Sequence, residues 1–371
     1  MLTQEFIFRD DAEGAASFPD AARLPVFFDI ETTGLSPKTS LVYLIGCCTP
    51  LTNAGQPTGE WRLHQWFAET PDDEPQVLRA FLAALPENGR LCHYNGTTFD
   101  LPFLAARMRL YGLTGLPETG DTLDYYRLLA PLKTLFSLPG RRQKQLETLV
   151  GMEREDRLDG GALIPYYAEY VGRSRFAPER AQELLSLLLL HNREDVQGLV
   201  RISSLSSVCG LLQGEYETET LTRSEQEVRL LLTLSRPLPC SLEREWRVPD
   251  SEISVRLRAE RSQAALTVPL THGKLYYYYE NYRDYVYLPE EDLCIYKSLA
   301  DSVDRTHRVR CTKETARCKK EGSFLPQPEP VFSPAFRTAP NAAVSYFEPE
   351  LLERQPEHLR AYIRSLLRQM A

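Results

Sequence analysis

The chain has 371 residues, of which 43% are hydrophobic and 25% charged, with a formal net charge of −8. That length suits two domains with sizeable cores, and it excludes wholesale disorder, collagen-like repeats and a small disulfide scaffold. The acidic balance argues against holding nucleic acid by bulk charge alone, because such binding sets Lys and Arg against phosphates.

In chain order, Leu24–Glu31 reads as an apolar strand, followed by turn chemistry at Thr33-Gly34 and Ser36-Pro37. Leu41–Thr49 and Trp61–Phe67 are expected strands. Asp72 and Asp73 start a helix with Val77, Leu78, Phe81, Leu82 and Leu85 on its apolar face, and Asn88-Gly89 ends it. Leu91–Tyr94 reads as a short buried strand, broken by Asn95-Gly96. A helix from about Asp100 carries Pro102 in its first turn, where proline is tolerated, and Gly112 stops it. Helices are then expected over Asp124–Lys133, Gln145–Val150, Ile164–Val171 and Pro178–Ser207. Residues 222–234 read as a connecting helix. From Ser241 the pattern turns to strands over Glu243–Val248, Glu252–Ala259 and Ala264–Pro269. Seven tyrosines crowd between Lys274 and Leu293, residues 321–345 read as irregular, and Pro349–Arg368 forms an amphipathic helix.

The segment MLTQEFIFRDDAEG lacks the basic stretch and apolar run of a signal peptide. The run Leu184–Leu190 is interrupted by Ser186 and is far short of the ~20 residues that span a bilayer. The expectation is a cytoplasmic protein with no membrane contact and reduced thiols. None of the eight cysteines forms a CxxC pair, and Cys311 with Cys318 is a poor zinc pair because no second pair accompanies it.

Three stretches carry chemistry. In FFDIETTGL, residues 27–35, Asp29 and Glu31 are two apart on an apolar strand. Period two puts both on one face with about 7 Å between Cα atoms. Paired carboxylates at the end of a buried strand are costly unless a cation joins them, and hard oxygen ligands favour Mg²⁺ or Mn²⁺. Taken alone, an Asp-x-Glu at a strand end needs only solvent. In YNGTTFDLPFL, residues 94–104, Asp100 opens a helix, where a capping role is the ordinary explanation. In LLLLHNREDV, residues 187–196, His191 and Asp195 are i and i+4 and share a helix face, with Arg193 and Glu194 expected to face water.

Together the three stretches resemble the motif order of DEDD-type 3′–5′ exonucleases of the DnaQ-like superfamily, on the ribonuclease-H-like fold. The likeness covers roughly residues 22–205 and is closest to the bacterial YprB-like proteins. They have a similar His-Asn-Arg-x-Asp ending and a stretch similar to Leu149–Asp156. The DnaQ-like histidine group usually has four residues between His and Asp, whereas here three separate His191 from Asp195. The resemblance implies Asp29, Glu31, Asp100 and Asp195 as ligands of two Mg²⁺ or Mn²⁺ ions, with His191 activating water. It further implies a terminal nucleotide beside Thr33, Gly34 and Leu35.

The window Arg305–Lys320 holds seven Lys and Arg against one Glu, a local charge of +6. Tyrosines beside basic residues make a composition suited to stacking bases and holding phosphates, although such tyrosines also serve as ordinary half-buried packing. Candidate substrate contacts are Arg308, Arg310 and Lys313 here, with Asn95, Arg141 and Arg142 in the first half. The expected architecture is an α/β domain over 22–208, a ribonuclease-H-like mixed sheet flanked by helices. A helical connector follows over 209–235, then an α+β accessory domain of unassigned fold over 236–371. The expected activity is metal-dependent exonucleolytic hydrolysis at single-stranded DNA or RNA ends. The alternatives are a structure-specific endonuclease and a non-catalytic nucleic-acid-binding scaffold. A carboxylate-pair glycosidase is disfavoured, since a third and fourth acid have no part in that chemistry.

Overall fold

The computed structural model describes residues 1–9, 23–53, 56–158 and 160–371. The expected domain start at residue 22 and residues 10–14 of the N-terminal segment lie outside them. The chain divides into two compact units, Met1–Cys209 with Arg236–Cys240, and Gly210–Ser235 with Ser241–Ala371.

The first unit is built on a six-stranded mixed sheet. Its strands are β1 (Leu2–Arg9), β2 (Leu24–Thr32), β3 (Val42–Asn53), β4 (Gln56–Phe67), β5 (Gly89–His93) and β6 (Leu123–Asp124), in the spatial order β1-β4-β3-β2-β5-β6. β1, β4, β3 and β2 pair antiparallel with one another in that order, whereas β5 runs parallel to both β2 and β6. β1 has no counterpart among the expected strands. Its alternation of half-buried and exposed residues is that of an edge strand covered on one side only. The helices are α1 (Glu74–Ala84), α2 (Asp100–Leu110), α3 (Tyr125–Leu128), α4 (Leu132–Leu135), α5 (Gln143–Glu147), α6 (Ile164–Arg173) and α7 (Pro178–Ser203), with α8 (Ser206–Leu212) after it. Alternation along β2 sends Phe28 to the α1 side, where it meets Phe81 at 5.5 Å between ring centres. Phe27 goes to the other side, against Tyr125 at 5.9 Å and Trp61 at 5.6 Å. Asp29 and Glu31 share the Phe27 face by the same period.

The second unit corrects the reading of residues 222–234 as a connecting helix. They belong to two strands, β7 (Thr218–Arg223) and β8 (Glu227–Thr233). In β8, Val228, Leu230 and Leu232 are buried while Arg229, Leu231 and Thr233 are exposed, a period of two. Both strands join β9 (Leu242–Arg247), β10 (Ser254–Glu260) and β11 (Gln263–Pro269) in an antiparallel sheet of order β7-β8-β11-β10-β9. A second sheet is formed by β12 (Thr271–Tyr278), β16 (Arg317–Gln327) and β17 (Ser345–Phe347), and a third by β13 (Tyr285–Leu288), β14 (Leu293–Tyr296) and β15 (Val309–Arg310). β16 thus orders the first part of the stretch expected to be irregular. The terminal helix is split into α9 (Leu351–Arg354) and α10 (Leu359–Arg368). Pro356 forces the break, because proline disfavours helical backbone in the residue before it, and Gln355 has φ −132° and ψ 59°. Cys311 lies against Cys294, with the sulfurs 3.4 Å apart. Among the described residues no helix is long and apolar enough to cross a membrane.

Candidate active site

The site begins where α7 crosses the sheet beside β2. Gly46 on β3 permits the approach, since a Cβ there would run into the Asn192 carboxamide and Val196. Asn192 Nδ2 donates to Asp29 Oδ2 at 3.1 Å. Its Oδ1 accepts from Gln65 Nε2 at 2.9 Å, and the same Gln65 nitrogen donates to the Leu189 carbonyl at 2.9 Å. The carboxamide is therefore fixed in orientation and turns its donor on the strand carboxylate.

From the preceding position on α7, His191 Nε2 stands 3.1 Å from Asp195 Oδ2, one turn further along, and 3.6 Å from Glu31 Oε1. His191 Nδ1 is 2.6 Å from Asp156 Oδ2. Asp156 is held low in pKa: burial would raise it, but the Leu158 N–H and His191 outweigh that. The carboxylate can only accept, so Nδ1 carries the proton and Nε2 faces the acids. Glu194 overturns the expectation that it faces water. It is buried, and its two oxygens accept the backbone N–H groups of Glu155 at 2.9 Å and Asp156 at 3.0 Å. The segment carrying Asp156 folds over that side of α7, so the helix is buried on more faces than its Leu pattern suggests. Arg154 forks Glu147, at 2.6 Å from Nε and 2.5 Å from Nη2, and reaches Asp195 Oδ1 through Nη1 at 2.5 Å. Gly198 leaves the room for Glu147, whose carboxylate would collide with a Cβ there.

Asp100 is the first residue of α2, and its carboxylate accepts a backbone hydrogen bond from Ile30, between Asp29 and Glu31. The structure therefore brings Asp29, Glu31, Asp100, His191 and Asp195 together. Burial, with Asp195 and Asp100 nearby, holds Asp29 well above the usual carboxylate range. Glu31 is raised in the same way by burial and by Asp29 and Asp195. Asp100 is pushed up to about 7, chiefly by burial. Asp195 goes the other way: burial would raise it, but His191 and Arg154 outweigh burial and hold it low. His191 is itself raised, because Asp195 and Asp156 overcome the effect of burial. The other buried histidine of this unit, His93, is a contrast. Burial lowers it to about 4, it accepts the Gly96 N–H at Nδ1, and it lies 3.0 Å from Thr122 Oγ1 at Nε2. It is a neutral structural side chain.

A hollow of about 360 Å³ is lined by His191 and Asp195 together with Tyr94, Asn95, Tyr126, Arg141, Arg142 and Lys144. The expected contacts Asn95, Arg141 and Arg142 thus border the acids. The Arg141 guanidinium stacks 3.7 Å over Tyr126, and its carbonyl accepts from Tyr94 OH at 2.6 Å. Thr33 and Gly34 lie half-buried on the turn after β2, and Leu35 is 83% exposed. Arg308, Arg310 and Lys313 belong to the second unit. Arg308 is tied to the Ala300 carbonyl, whereas Arg310 and Lys313 are exposed. Sequence reading missed Asn192, Gln65, Glu147, Arg154 and Asp156 as parts of the site. The one available signal was the Leu149–Asp156 stretch, which holds two of them.

Residues 26–206 match the family described as RNase_H_2, of the RNase_H superfamily. The match takes in the sheet from β2 to β6, the helices α1 to α7 and the acids gathered beside β2, and leaves out β1. The first unit has a ribonuclease-H-like fold. No curated protein matches the chain. Among solved structures, the chain is similar to the family B DNA polymerase from the hyperthermophilic archaeon Pyrobaculum calidifontis, at 12% identity over 73% of this chain and 35% of the polymerase, with a TM-score of 0.35. It is also similar to a chain in a structure of SSB/Exonuclease I in complex with the inhibitor CFAM, at 15% identity over 57% of this chain and 56% of that one, with a TM-score of 0.28. The chain therefore spans about a third of the first and just over half of the second, and neither likeness adds to the ribonuclease-H-like reading.

Proposed function

We propose that the protein is a divalent-metal-dependent nuclease that hydrolyses phosphodiester bonds. The observation that carries this reading is the meeting of Asp29, Glu31, Asp100, His191 and Asp195, drawn from three separate stretches, at one spot on a ribonuclease-H-like sheet. The donor set fits divalent cations. Three carboxylates there are pushed up in pKa by burial and by neighbouring carboxylates, a cost that a bound cation would relieve. Among the described residues, Glu31, His191 and Asp195 offer ligand atoms that all lie within 4.8 Å of one another. When bound, two such cations would supply charge stabilisation at the attacking and leaving oxygens of the phosphodiester.

The chain's own residues do the rest. Asn192 holds the Asp29 carboxylate in place, and Arg154 does the same for Asp195. His191 presents Nε2 to the same spot, within reach of an attacking water or of a cation. Tyr94, Tyr126, Arg142 and Lys144 line a hollow of about 360 Å³ that would receive a nucleotide, with bases on the rings and phosphate on the cations. The exposed turn of Thr33, Gly34 and Leu35 would flank the strand end. The 3′–5′ direction and the preference for single-stranded ends follow from the DEDD and YprB-like resemblance of the motifs.

The test is a panel of 3′-labelled and 5′-labelled DNA and RNA with Mn²⁺, wild type against Asp29→Ala. Stepwise release of mononucleotides from 3′ ends, lost in the variant, is the expected result. Intact activity in Asp29→Ala overturns the assignment, and cleavage of a circular substrate replaces exonuclease with endonuclease.

A further inference from the structure

The third sheet of the second unit is small and held by few ladder bonds at one edge. β15 has two residues and pairs with β13 through Val309 opposite Tyr287 and Arg310 opposite Val286. β14 lies on the other side of β13, so no ladder joins β14 to β15. Side chains bridge that gap. Cys294 on β14 and Cys311, the first residue after β15, have their sulfurs 3.4 Å apart. This is a contact of two free thiols, and a disulfide at about 2.05 Å asks them to close by little more than an ångström. Ala316 and the rings of Tyr279, Tyr282, Tyr285 and Tyr287 pack around the pair. Among the described residues the two sulfurs belong to no group of three ligand atoms within 4.8 Å of one another, so the cluster a zinc ion needs is missing. Cys294 and Cys311 keep 9% and 8% of their surface exposed, against 3% or less for Cys47, Cys48, Cys92 and Cys209. They therefore lie at the rim of their cluster, where a small reagent can reach. Their surroundings divide the roles. Burial, with the bond to Cys311, pushes the Cys294 thiol up to about 12. Cys311 directly follows Arg310 and precedes Lys313 by two, both exposed, and cations beside a thiol favour the reactive thiolate.

We propose that Cys294 and Cys311 form a reversible disulfide that fixes the basic segment 295–310 when the protein meets a low-molecular-weight disulfide such as glutathione disulfide. The Cys311 thiolate attacks one sulfur of that reagent and expels a thiolate, which leaves a mixed disulfide on Cys311. Cys294 then attacks the Cys311 sulfur, expels the second thiolate and closes the protein disulfide. The reagent takes up the two electrons and the two thiol protons and leaves as two thiols. The new bond joins β14 covalently to the end of β15 and encloses Lys297, Arg305, Arg308 and Arg310 in one loop. Nothing in this chemistry depends on the nuclease site of the first unit.

Thiol mapping of the full, folded chain tests it: equilibration with glutathione disulfide, acid quenching, alkylation and peptide mass spectrometry. The expected result is a peptide cross-linked between Cys294 and Cys311, which dithiothreitol reverses. Cys318→Ser keeps the cross-link, whereas Cys294→Ser and Cys311→Ser each abolish it. In the oxidised wild type, tryptic cleavage after Lys297, Arg305, Arg308 and Arg310 slows about tenfold or more, because the closed loop opens less often. The oxidant leaves that rate unchanged in Cys294→Ser and Cys311→Ser. Full alkylation of both cysteines after exposure to the oxidant overturns the proposal. So does a bond from either of them to Cys318, a mixed disulfide that never closes, or a cross-link that leaves the tryptic rate of the wild type unchanged.

Discussion

The two units handle charge in opposite ways. Among the described residues, every buried Asp, Glu and His belongs to the first unit: Glu31, Glu74, His93, Asp100, Asp124, Glu147, Asp156, His191 and Glu194. The buried polar side chains of the second unit are the neutral Gln327, Ser345 and Ser365. Its charges stay at the surface, and its tyrosines pack on one another, as in the Tyr279–Tyr285 stack at 4.3 Å. Burying charge is costly unless each group is paired or hydrogen-bonded. The first unit buries such groups repeatedly, several of them beside β2, each with a partner, while the second unit leaves its charges at the surface.

That contrast can be broken most sharply at Asp195. Asp195→Asn in the first unit is expected to cut nuclease turnover at least ~100-fold with an unchanged circular dichroism spectrum, measured on end-labelled substrate in Mn²⁺. Next in size is Arg154→Ala, which leaves Glu147 and Asp195 facing each other without their cation. Removing one partner of a buried ion pair costs about 3 to 5 kcal/mol, to be read from urea denaturation. The matched change in the second unit, Arg258→Ala, removes an ion pair to Glu243 whose side chains are 75% and 72% exposed, and the midpoint should not move measurably. Equal losses in the two would end the contrast.

A smaller effect sharpens it through pH. The Asp100 carboxyl titrates at about 7 in the folded protein against an ordinary value of 3.8. The stability its neutral form supplies is therefore complete below 3.8 and is lost as pH rises through about 7. In chelator, Asp100→Asn should melt a few degrees above wild type at pH 8 and alongside it at pH 4, by calorimetry. The reverse order at pH 8 would mean that the carboxylate is paid no penalty for burial. The smallest effect belongs to the displayed charge. Arg310→Ala with Lys313→Ala should lower the slope of log affinity against log salt by roughly 1 to 2 and weaken binding a few-fold, by fluorescence anisotropy on single-stranded oligonucleotide.

The parts of the first unit visible in the sequence are those set by local period. Asp29 and Glu31 follow an apolar run two residues apart, and His191 and Asp195 sit one helical turn apart, so their faces can be read directly. The roles of Asn192, Arg154 and Asp156 cannot be read in that way. Each acts across a tertiary contact, and Asn192 matters only because Gly46 lets α7 close on the sheet. Glu194 misleads for the same reason: its polar character predicts solvent, but two loop N–H groups claim it. In the second unit, the run Leu230-Leu231-Leu232 hides the alternation of β8, because consecutive leucines satisfy a helical and an extended period equally well. Arg308 shows that a basic window is not uniform, since its guanidinium is tied to the Ala300 carbonyl whereas Arg310 and Lys313 are exposed.

The bond between Asn192 and Asp29 joins residues 163 positions apart. At a synthesis rate of about 5 to 20 residues per second, roughly 8 to 30 seconds separate the appearance of the first carboxylates from that of the helix that completes the site. Through that interval a nascent chain carries β2 without His191 or Asp195. The contact at Gly46 therefore closes late: nearly two hundred residues of this protein must be made before α7 can settle beside the carboxylates of β2.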